Sequence, residues 1–120
     1  MKDPSNPVCR TISTLLSRIG DKWTVLVVAT LGDGPRRFNE LRREIPSVSQ
    51  RMLTLTLRNL ERDGLVSRTV TASVPVRVDY ELTPLGHSLL EPIQHLKAWA
   101  EDHVPEVREA QEVYDREGAP

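Results

Sequence analysis

One segment, PSVSQRMLTLTLRNLERDG at residues 46–64, constrains the fold more strongly than any other part of the chain. The spacing of Ser47 and Gln50 matches a capping box, and Gly64 is placed to form a left-handed C-terminal cap, so both ends of a helix are predicted. At about 100° per residue, this helix has two unlike faces. One face carries leucines and the opposite face mainly arginines: Leu53, Leu57 and Leu60 against Arg51, Leu55, Arg58 and Arg62. The leucines are predicted to pack against the protein and the arginines to face outward.

Charges are segregated along the chain, although the formal net charge is only −1. Residues 36–77 contain nine arginines and four acidic residues, a net charge of +5, whereas residues 91–120 contain three basic and eight acidic residues, a net charge of −5. A basic region of this kind is typical of proteins that bind a polyanion. An ordinary solvated helix surface is the alternative that charge alone leaves open.

Two helices are predicted before this basic region. In the first, Asn6 caps the helix, Pro7 takes its first position, and an apolar face precedes the stop at Gly20. The next stretch, KWTVLVVATL, is apolar nearly all round and follows Asp21, which can cap it. Its β-branched residues would also suit a strand, but the cap and the ten-residue length favour a buried helix.

A short third helix, capped by Asn39 and ending near Pro46, is predicted after the glycines and proline of residues 32–35. Beyond the arginine-bearing helix, LVSRTVTA and VRVDYELT alternate apolar and polar residues. Such alternation predicts a two-stranded β-hairpin with one solvated face.

The last part of the chain is predicted to be a long amphipathic helix that begins at Thr83 and Pro84. Its apolar stripe is more extensive than so small a core can use. We expect Pro92 to remove one backbone hydrogen bond and kink the helix, and Pro105 to start another segment.

Within residues 21–83, three helices followed by a hairpin have the order of a winged helix-turn-helix. The predicted fold class is therefore mainly α with a small β-hairpin, in a single domain over residues 1–120 with its core at residues 21–83. In a helix-turn-helix, the N-terminal half of the recognition helix, here the arginine-bearing helix, reaches base edges in the major groove. Arginine suits guanine, glutamine suits adenine, and an apolar side-chain tip suits the methyl group of thymine. We expect base contacts from Ser49, Gln50, Arg51, Thr54 and Leu55. Phosphate or minor-groove contacts are expected from Arg36, Arg37, Arg58, Arg62, Arg68 and Arg77.

Three stretches, RIGDKWTVLVV, GPRRFNELRREIPSVSQRMLTLTLRNLERDGLVSRTV and VPVRVDYELTPLGHSLL, resemble the HxlR-type helix-turn-helix family of bacterial transcriptional regulators, over most of the chain from Cys9 to about Trp99. The resemblance implies a winged-helix homodimer that binds a pseudo-palindromic operator in double-stranded DNA and usually represses a nearby gene. It also implies that the first and last helices, residues 1–20 and 84–117, join the dimer. Residues 49–58 match the family's recognition helix, although many members carry a polar residue at the position of Leu55.

Apolar residues on the two terminal helices are the expected dimer interface. They have no evident place in the core of the domain, and matching faces of two copies can pack across a two-fold axis. The predicted interface residues are Ile12, Leu16, Leu89, Ile93, Leu96 and Trp99.

Cys9 is the only cysteine, and it lies in the first turn after Pro7. The positive end of the helix dipole and the adjacent Arg10 would favour a reactive thiol at this position. The resemblance adds that some family members sense oxidants or electrophiles through a cysteine near the start of the first helix, although the pattern here is PVCR and many of those members have Cys-Pro. A possible redox sensor at Cys9 and a small thiol without a role remain alternatives.

Other function classes are disfavoured. His87, His95 and His103 are spaced by eight residues, so they do not stack on one helix face as metal ligands would, and neither a metal nor a cofactor is expected. No paired carboxylates, phosphate-binding glycine loop or catalytic triad motif indicates an enzyme. A winged helix that binds protein instead of DNA is the remaining alternative, but an uncharged outer helix face would be expected there, and Arg51 and Arg58 disfavour it.

The chain is expected to act in the cytoplasm, associated with the nucleoid. Its N-terminal residues do not resemble a signal peptide, and no apolar run approaches the roughly 18 residues of a membrane span. A lone cysteine cannot form an internal disulfide, which fits a reducing compartment.

Overall fold

The computed structural model describes residues 5–118. Its elements in chain order are α1 (Pro7–Gly20), α2 (Lys22–Leu31), β1 (Arg36–Arg37), α3 (Phe38–Glu44), α4 (Gln50–Arg62), β2 (Val66–Thr71), β3 (Arg77–Leu82), α5 (Pro84–Ser88) and α6 (Leu90–Arg116). The chain forms two compact units that divide between Leu90 and Glu91. A mainly helical fold with a small antiparallel sheet confirms the predicted fold class.

The second helix, α2, is the centre of the first unit and is a helix, as its cap and length predicted. Asp21 Oδ2 accepts hydrogen bonds from the backbone N–H of Thr24 at 3.4 Å and from its hydroxyl at 3.1 Å. Val27, Val28 and Leu31 are fully buried, and α2 contacts α1, α3, α4 and β3. Because α2 packs against neighbours on several sides, it needs apolar residues on nearly all of its faces.

The sheet contains a third strand that the sequence pattern did not indicate. β1 pairs antiparallel with β3, which also pairs antiparallel with β2, so the strand order is β1-β3-β2. In this register Arg36 lies opposite Tyr80, and Val66 lies opposite Leu82. A strand of two residues is too short to show alternation, and its partner is distant in sequence, so local propensity could not reveal it.

The predicted cap of the third helix is wrong. α3 begins at Phe38, with Arg37 as its N-cap and Asn39 already inside the helix. Pairing in β1 holds Arg37 in an extended conformation (φ −81°, ψ 161°), which allows the helix to start at the next residue. The side chain of Glu40 supplies the local stabilisation, because its Oε1 accepts a hydrogen bond from the Arg37 N–H at 2.8 Å.

The predicted last helix is interrupted, so Pro92 is associated with a break and not with the predicted kink, and the prediction for Pro105 is wrong. The helical run from Pro84 breaks at Leu89, because the ring of Pro92 would collide with the carbonyl of Ser88, four residues earlier. Pro92 is the third residue of α6, where a backbone N–H has no helical partner in any case, so it costs no hydrogen bond there. Pro105 lies inside α6 and starts no new segment, because the helix continues on both sides of it.

Candidate nucleic-acid interface

The arginine-bearing helix begins two residues later than a Ser47–Gln50 capping box would require, so that prediction is wrong. α4 starts at Gln50, and Ser49 is its N-cap, with its Oγ accepting a hydrogen bond from the Met52 N–H at 3.1 Å. Val48 is buried and donates its N–H to the Ile45 carbonyl at 3.1 Å. Burial of Val48 therefore places Ser47 in the turn between α3 and α4 and leaves Ser49 to cap the helix.

The C-terminal end of α4 is closed by a Schellman motif, as the placement of Gly64 predicted. Gly64 has a φ of +77°, which a glycine adopts without a Cβ penalty. Its N–H bonds to the Glu61 carbonyl at 3.0 Å, and the Leu65 N–H bonds to the Leu60 carbonyl at 2.9 Å. Local hydrogen bonds thus define both ends of α4. They therefore set the length of helix that can project from the domain.

The two faces of α4 are placed as the sequence predicted. Leu53, Leu57 and Leu60 are buried against the first unit. The opposite face is open: Gln50, Arg51, Leu55, Arg58 and Arg62 are exposed, and Ser49 lies exposed at its start, whereas Thr54 is half-buried. A shallow groove of about 550 Å³ runs along this face, lined by Gln50, Arg51, Thr54, Leu55 and Arg58.

Three of the predicted DNA-contacting arginines are already paired with carboxylates of the same chain. Arg36 Nε lies 2.7 Å from Glu44, Arg77 Nε lies 2.8 Å from Asp79, and Arg68 Nε lies 3.6 Å from Glu61. Hydrogen bonds to Glu44 and Asp79 raise the pKa of Arg36 and of Arg77 above the ordinary arginine value, so both remain charged. By contrast, Arg37, Arg51, Arg58 and Arg62 take part in none of the ion pairs formed among residues 5–118.

The sheet brings the hairpin beside α4. Arg58 and Glu61 on α4 and Arg68 and Tyr80 on the strands line one small cleft of about 260 Å³. Tyr80 is half-buried there, and burial is the main cause that raises the pKa of its hydroxyl, so the hydroxyl stays protonated. The cleft therefore offers the guanidinium of Arg58 and the hydroxyl of Tyr80 as donors next to the exposed face of α4, while Arg68 is paired with Glu61.

Arg43 is a candidate contact that the sequence assignment missed. Together with Arg37 and Arg77 it lines an open groove of about 940 Å³ between α3 and the hairpin loop, and Ser73 lies on the loop side. The count of arginines in residues 36–77 included Arg43, but only the fold shows that it shares a groove with the hairpin. The groove has the hydrogen-bond donors and positive charge that a phosphate backbone requires.

The predicted dimer residues differ in how exposed they are. Leu16 on α1 and Leu96 and Trp99 on α6 have exposed fractions of 49 %, 56 % and 58 %. Ile12 and Leu89 are half-buried, and Ile93 is buried. On α6, the Trp99 ring stacks on the His103 ring with centroids 4.5 Å apart.

Cys9 lies in the first turn of α1 and is half-buried. Asn6 caps this helix as predicted, with its Oδ1 accepting a hydrogen bond from the Val8 N–H at 2.8 Å. Within residues 5–118, no group of three or more histidine, cysteine and acidic side chains is arranged to hold a metal ion. Over the same range, no helix combines the length and apolar character needed to cross a membrane.

Comparisons with known proteins agree with this geometry. The HxlR-like helix-turn-helix family matches residues 18–108. The HTH-type transcriptional regulator YdeP of Bacillus subtilis strain 168 is 43 % identical over 108 residues, which are 88 % of this chain and 84 % of YdeP. The solved structure of the transcriptional regulator ytfH from Salmonella typhimurium is similar with a TM-score of 0.74 and 37 % identity, covering 83 % of this chain and 89 % of that chain.

A second solved structure, the redox regulator HypR in its reduced form, is similar with a TM-score of 0.75 and 41 % identity, covering 82 % of this chain and 98 % of that chain. The family match spans most of the chain and includes the whole of α4 and the sheet. The chain belongs to the HxlR-like helix-turn-helix family of DNA-binding transcriptional regulators.

Proposed function

We propose that this regulator is a homodimeric repressor that binds a pseudo-palindromic operator with α4 in the major groove. One observation carries the proposal: the exposed face of α4 presents Arg51, Leu55 and Arg58 together, while the leucines of the opposite face are buried. Arg51 and Arg58 are not neutralised by an ion pair among residues 5–118, so their guanidinium groups are available to another molecule. Major-groove recognition helices have this exposed basic face.

Each side chain on this face suits a different contact. The fork of Arg51, in the first turn of α4, matches O6 and N7 of guanine, and the tip of Leu55 can lie on a thymine methyl group. Arg58 and Arg62, further along the helix, are assigned to phosphates, together with Arg37 and Arg43 from the groove beside the hairpin. The other three predicted arginines are paired with carboxylates. To contact phosphate, each guanidinium would have to leave its carboxylate partner or bind both groups: Arg36, Arg68 and Arg77.

A dimer is supported by apolar surface outside the DNA-binding elements. Leu16 on α1 and Leu96 and Trp99 on α6 are about half exposed in a single chain. Large apolar side chains grouped on a helix favour association because burying them removes apolar area from water. We assign residues 1–20 and 84–117 to dimerisation and residues 21–83 to the winged-helix core.

The proposal also includes a response to oxidants at Cys9. A similar solved structure is described as a redox regulator, and Cys9 lies on α1, one of the two helices assigned to the dimer. A change at this thiol that shifted α1 would alter the separation of the two recognition helices. Since the ligand is DNA, we assign the protein to the cytoplasm and the nucleoid.

The experiment is a gel-shift series at several salt concentrations with Arg51→Ala, Arg58→Ala and, as a matched control, Arg108→Ala. Arg108 is an exposed arginine on α6, outside the basic segment. We expect Arg58→Ala to weaken binding to all sequences and to reduce the salt slope by about 1, as the loss of one phosphate contact does. Arg51→Ala should change which sequences are preferred, by about 1–3 kcal/mol for a good bidentate contact. Unchanged affinity and preference in both variants would contradict the assignment of α4.

A further inference from the structure

One ion pair joins the first helix directly to the recognition helix. Arg18 Nε donates to Asp63 Oδ2 at 2.9 Å, and the two residues are 45 positions apart in the sequence. Arg18 lies in the last turn of α1, and Asp63 is the C-cap of α4. The contact therefore connects the end of a helix assigned to the dimer with the end of the helix assigned to DNA.

This pair is the least exposed ion pair among residues 5–118. The side chains of Arg18 and Asp63 are 22 % and 11 % exposed, whereas those of Arg68 and Glu61 are 46 % and 42 % exposed and 3.6 Å apart. Partly shielded charges are screened less by salt and attract each other more strongly than charges in open solvent. Solvent and salt should therefore weaken the Arg18–Asp63 pair less than they weaken the exposed Arg68–Glu61 pair.

The side chain of Asp63 is not needed to cap α4, although the residue occupies the C-cap position. The Schellman bonds of Gly64 and Leu65 already satisfy carbonyls in the last turn, and the Asp63 N–H bonds to Asn59 O at 3.0 Å. A carboxylate at the C-terminal end of a helix is also opposed by the helix dipole. The carboxylate is therefore explained by its partner, since the guanidinium of Arg18 compensates for the unfavourable position.

We propose that Arg18 and Asp63 are positioning residues that set the angle of α4 relative to α1 and so define the spacing between the two recognition helices of the dimer. The inference rests on the proposed function, in which α1 belongs to the dimer interface. α2 contacts both α1 and α4 and holds them together by packing, while the ion pair fixes the far end of α4. Without the pair, the leucine face still docks α4, but the helix end loses its link to α1.

The test is a gel-shift series on duplexes selected in vitro by the native protein, with the spacer between half-sites changed by one or two base pairs in each direction. The native protein should prefer one spacer on the order of tenfold, since dimeric helix-turn-helix proteins require a set separation of half-sites. Arg18→Gln and Asp63→Asn should flatten this preference, and the exchanged double variant Arg18→Asp with Asp63→Arg should restore part of it. Arg10→Gln, which removes the same charge from an exposed position on α1, should leave the preference unchanged.

Loss of stability alone does not produce this pattern, because a smaller folded fraction lowers the apparent affinity for every spacer by the same factor. Thermal unfolding and sedimentation of each variant establish the folded fraction and the dimer. If both single variants keep the native spacer preference, the positioning role is overturned while the proposed function stands. If the native protein binds no selected duplex or shows no spacer preference, the proposed function fails, and this inference fails with it.

Discussion

Helices α1 and α2 are adjacent in sequence and both carry apolar side chains, but the folded chain uses them differently. In α2, Thr24, Val27, Val28 and Leu31 are buried, whereas no residue of α1 is buried. A helix in contact with several neighbours loses its apolar surface within one chain, and a helix packed on one side keeps part of that surface in water. The distribution of apolar residues, nearly all round α2 but on one face of α1, therefore distinguishes a core helix from a helix that keeps apolar surface exposed.

The largest expected effect comes from removing a core side chain of α2. Leu31→Ala should lower the free energy of unfolding by about 2–5 kcal/mol, because it removes buried methyl groups and leaves a cavity. Leu26→Ala on the same helix, where the side chain is 42 % exposed, should cost about 1 kcal/mol or less. Urea unfolding at one fixed protein concentration measures both values. Equal losses in the two variants would contradict the central position of α2.

The next effect concerns α1 and the dimer. Leu16→Glu should weaken dimer association by about 2–4 kcal/mol, because a charge would be buried without a partner in a proposed interface. Thr14→Glu, about 200° round the same helix, introduces the same charge away from that face and should leave association unchanged. Sedimentation over a range of protein concentrations gives the dissociation constants. If the native protein is monomeric at micromolar concentration, the proposed place of α1 in a dimer interface is wrong.

The N-caps of α1 and α2 provide another test of the difference between the two helices. Asp21→Ala should lower the free energy of unfolding by about 1–2 kcal/mol, since the carboxylate caps a buried helix and also accepts from the Thr24 hydroxyl. Asn6→Ala should cost no more than about 0.5 kcal/mol of global stability, because the exposed start of α1 can fray without unfolding the core. Hydrogen exchange would show the loss at Asn6 as faster exchange confined to the first turn of α1. A global loss there would show that α1 is part of the core after all.

The smallest effect of a substitution is expected at Cys9, and it is measured as operator affinity. Cys9→Ser should leave operator affinity within about twofold under reducing conditions, because a half-buried serine replaces a thiol of similar size. After treatment with diamide or a quinone, the native protein should lose or gain affinity and the variant should not. Mass spectrometry identifies the product, which after diamide is an intersubunit disulfide, or a mixed disulfide where a small thiol is present, and after a quinone is a thioether adduct. Equal responses of the two proteins would leave Cys9 as a packing residue.

Local patterns predicted much of the fold and of the candidate site. The leucine and arginine faces of α4, the caps at Asn6, Asp21 and Thr83, and the left-handed Gly64 depend on residues within one or two turns of each other, and the structure agrees with each of them. The two incorrect N-cap predictions arose where packing or pairing with other elements decided the outcome. Asn39 lost the cap position because β1 pairs with β3, and Ser47 lost it because Val48 is buried in the turn.

Sequence alone determined the order of the larger helices and of the hairpin, the two faces of α4 and the separation of basic from acidic segments, because helical periodicity and charge can be read locally. Tertiary structure decided which charges are free. It paired Arg36 with Glu44, Arg68 with Glu61 and Arg18 with Asp63, and left Arg51 and Arg58 outside the ion pairs formed among residues 5–118. Except for pairs a few residues apart, the geometry of an ion pair depends on how separate elements pack. The number of arginines was therefore known from the sequence, but the pattern that DNA would meet was set only when the helices and strands came together.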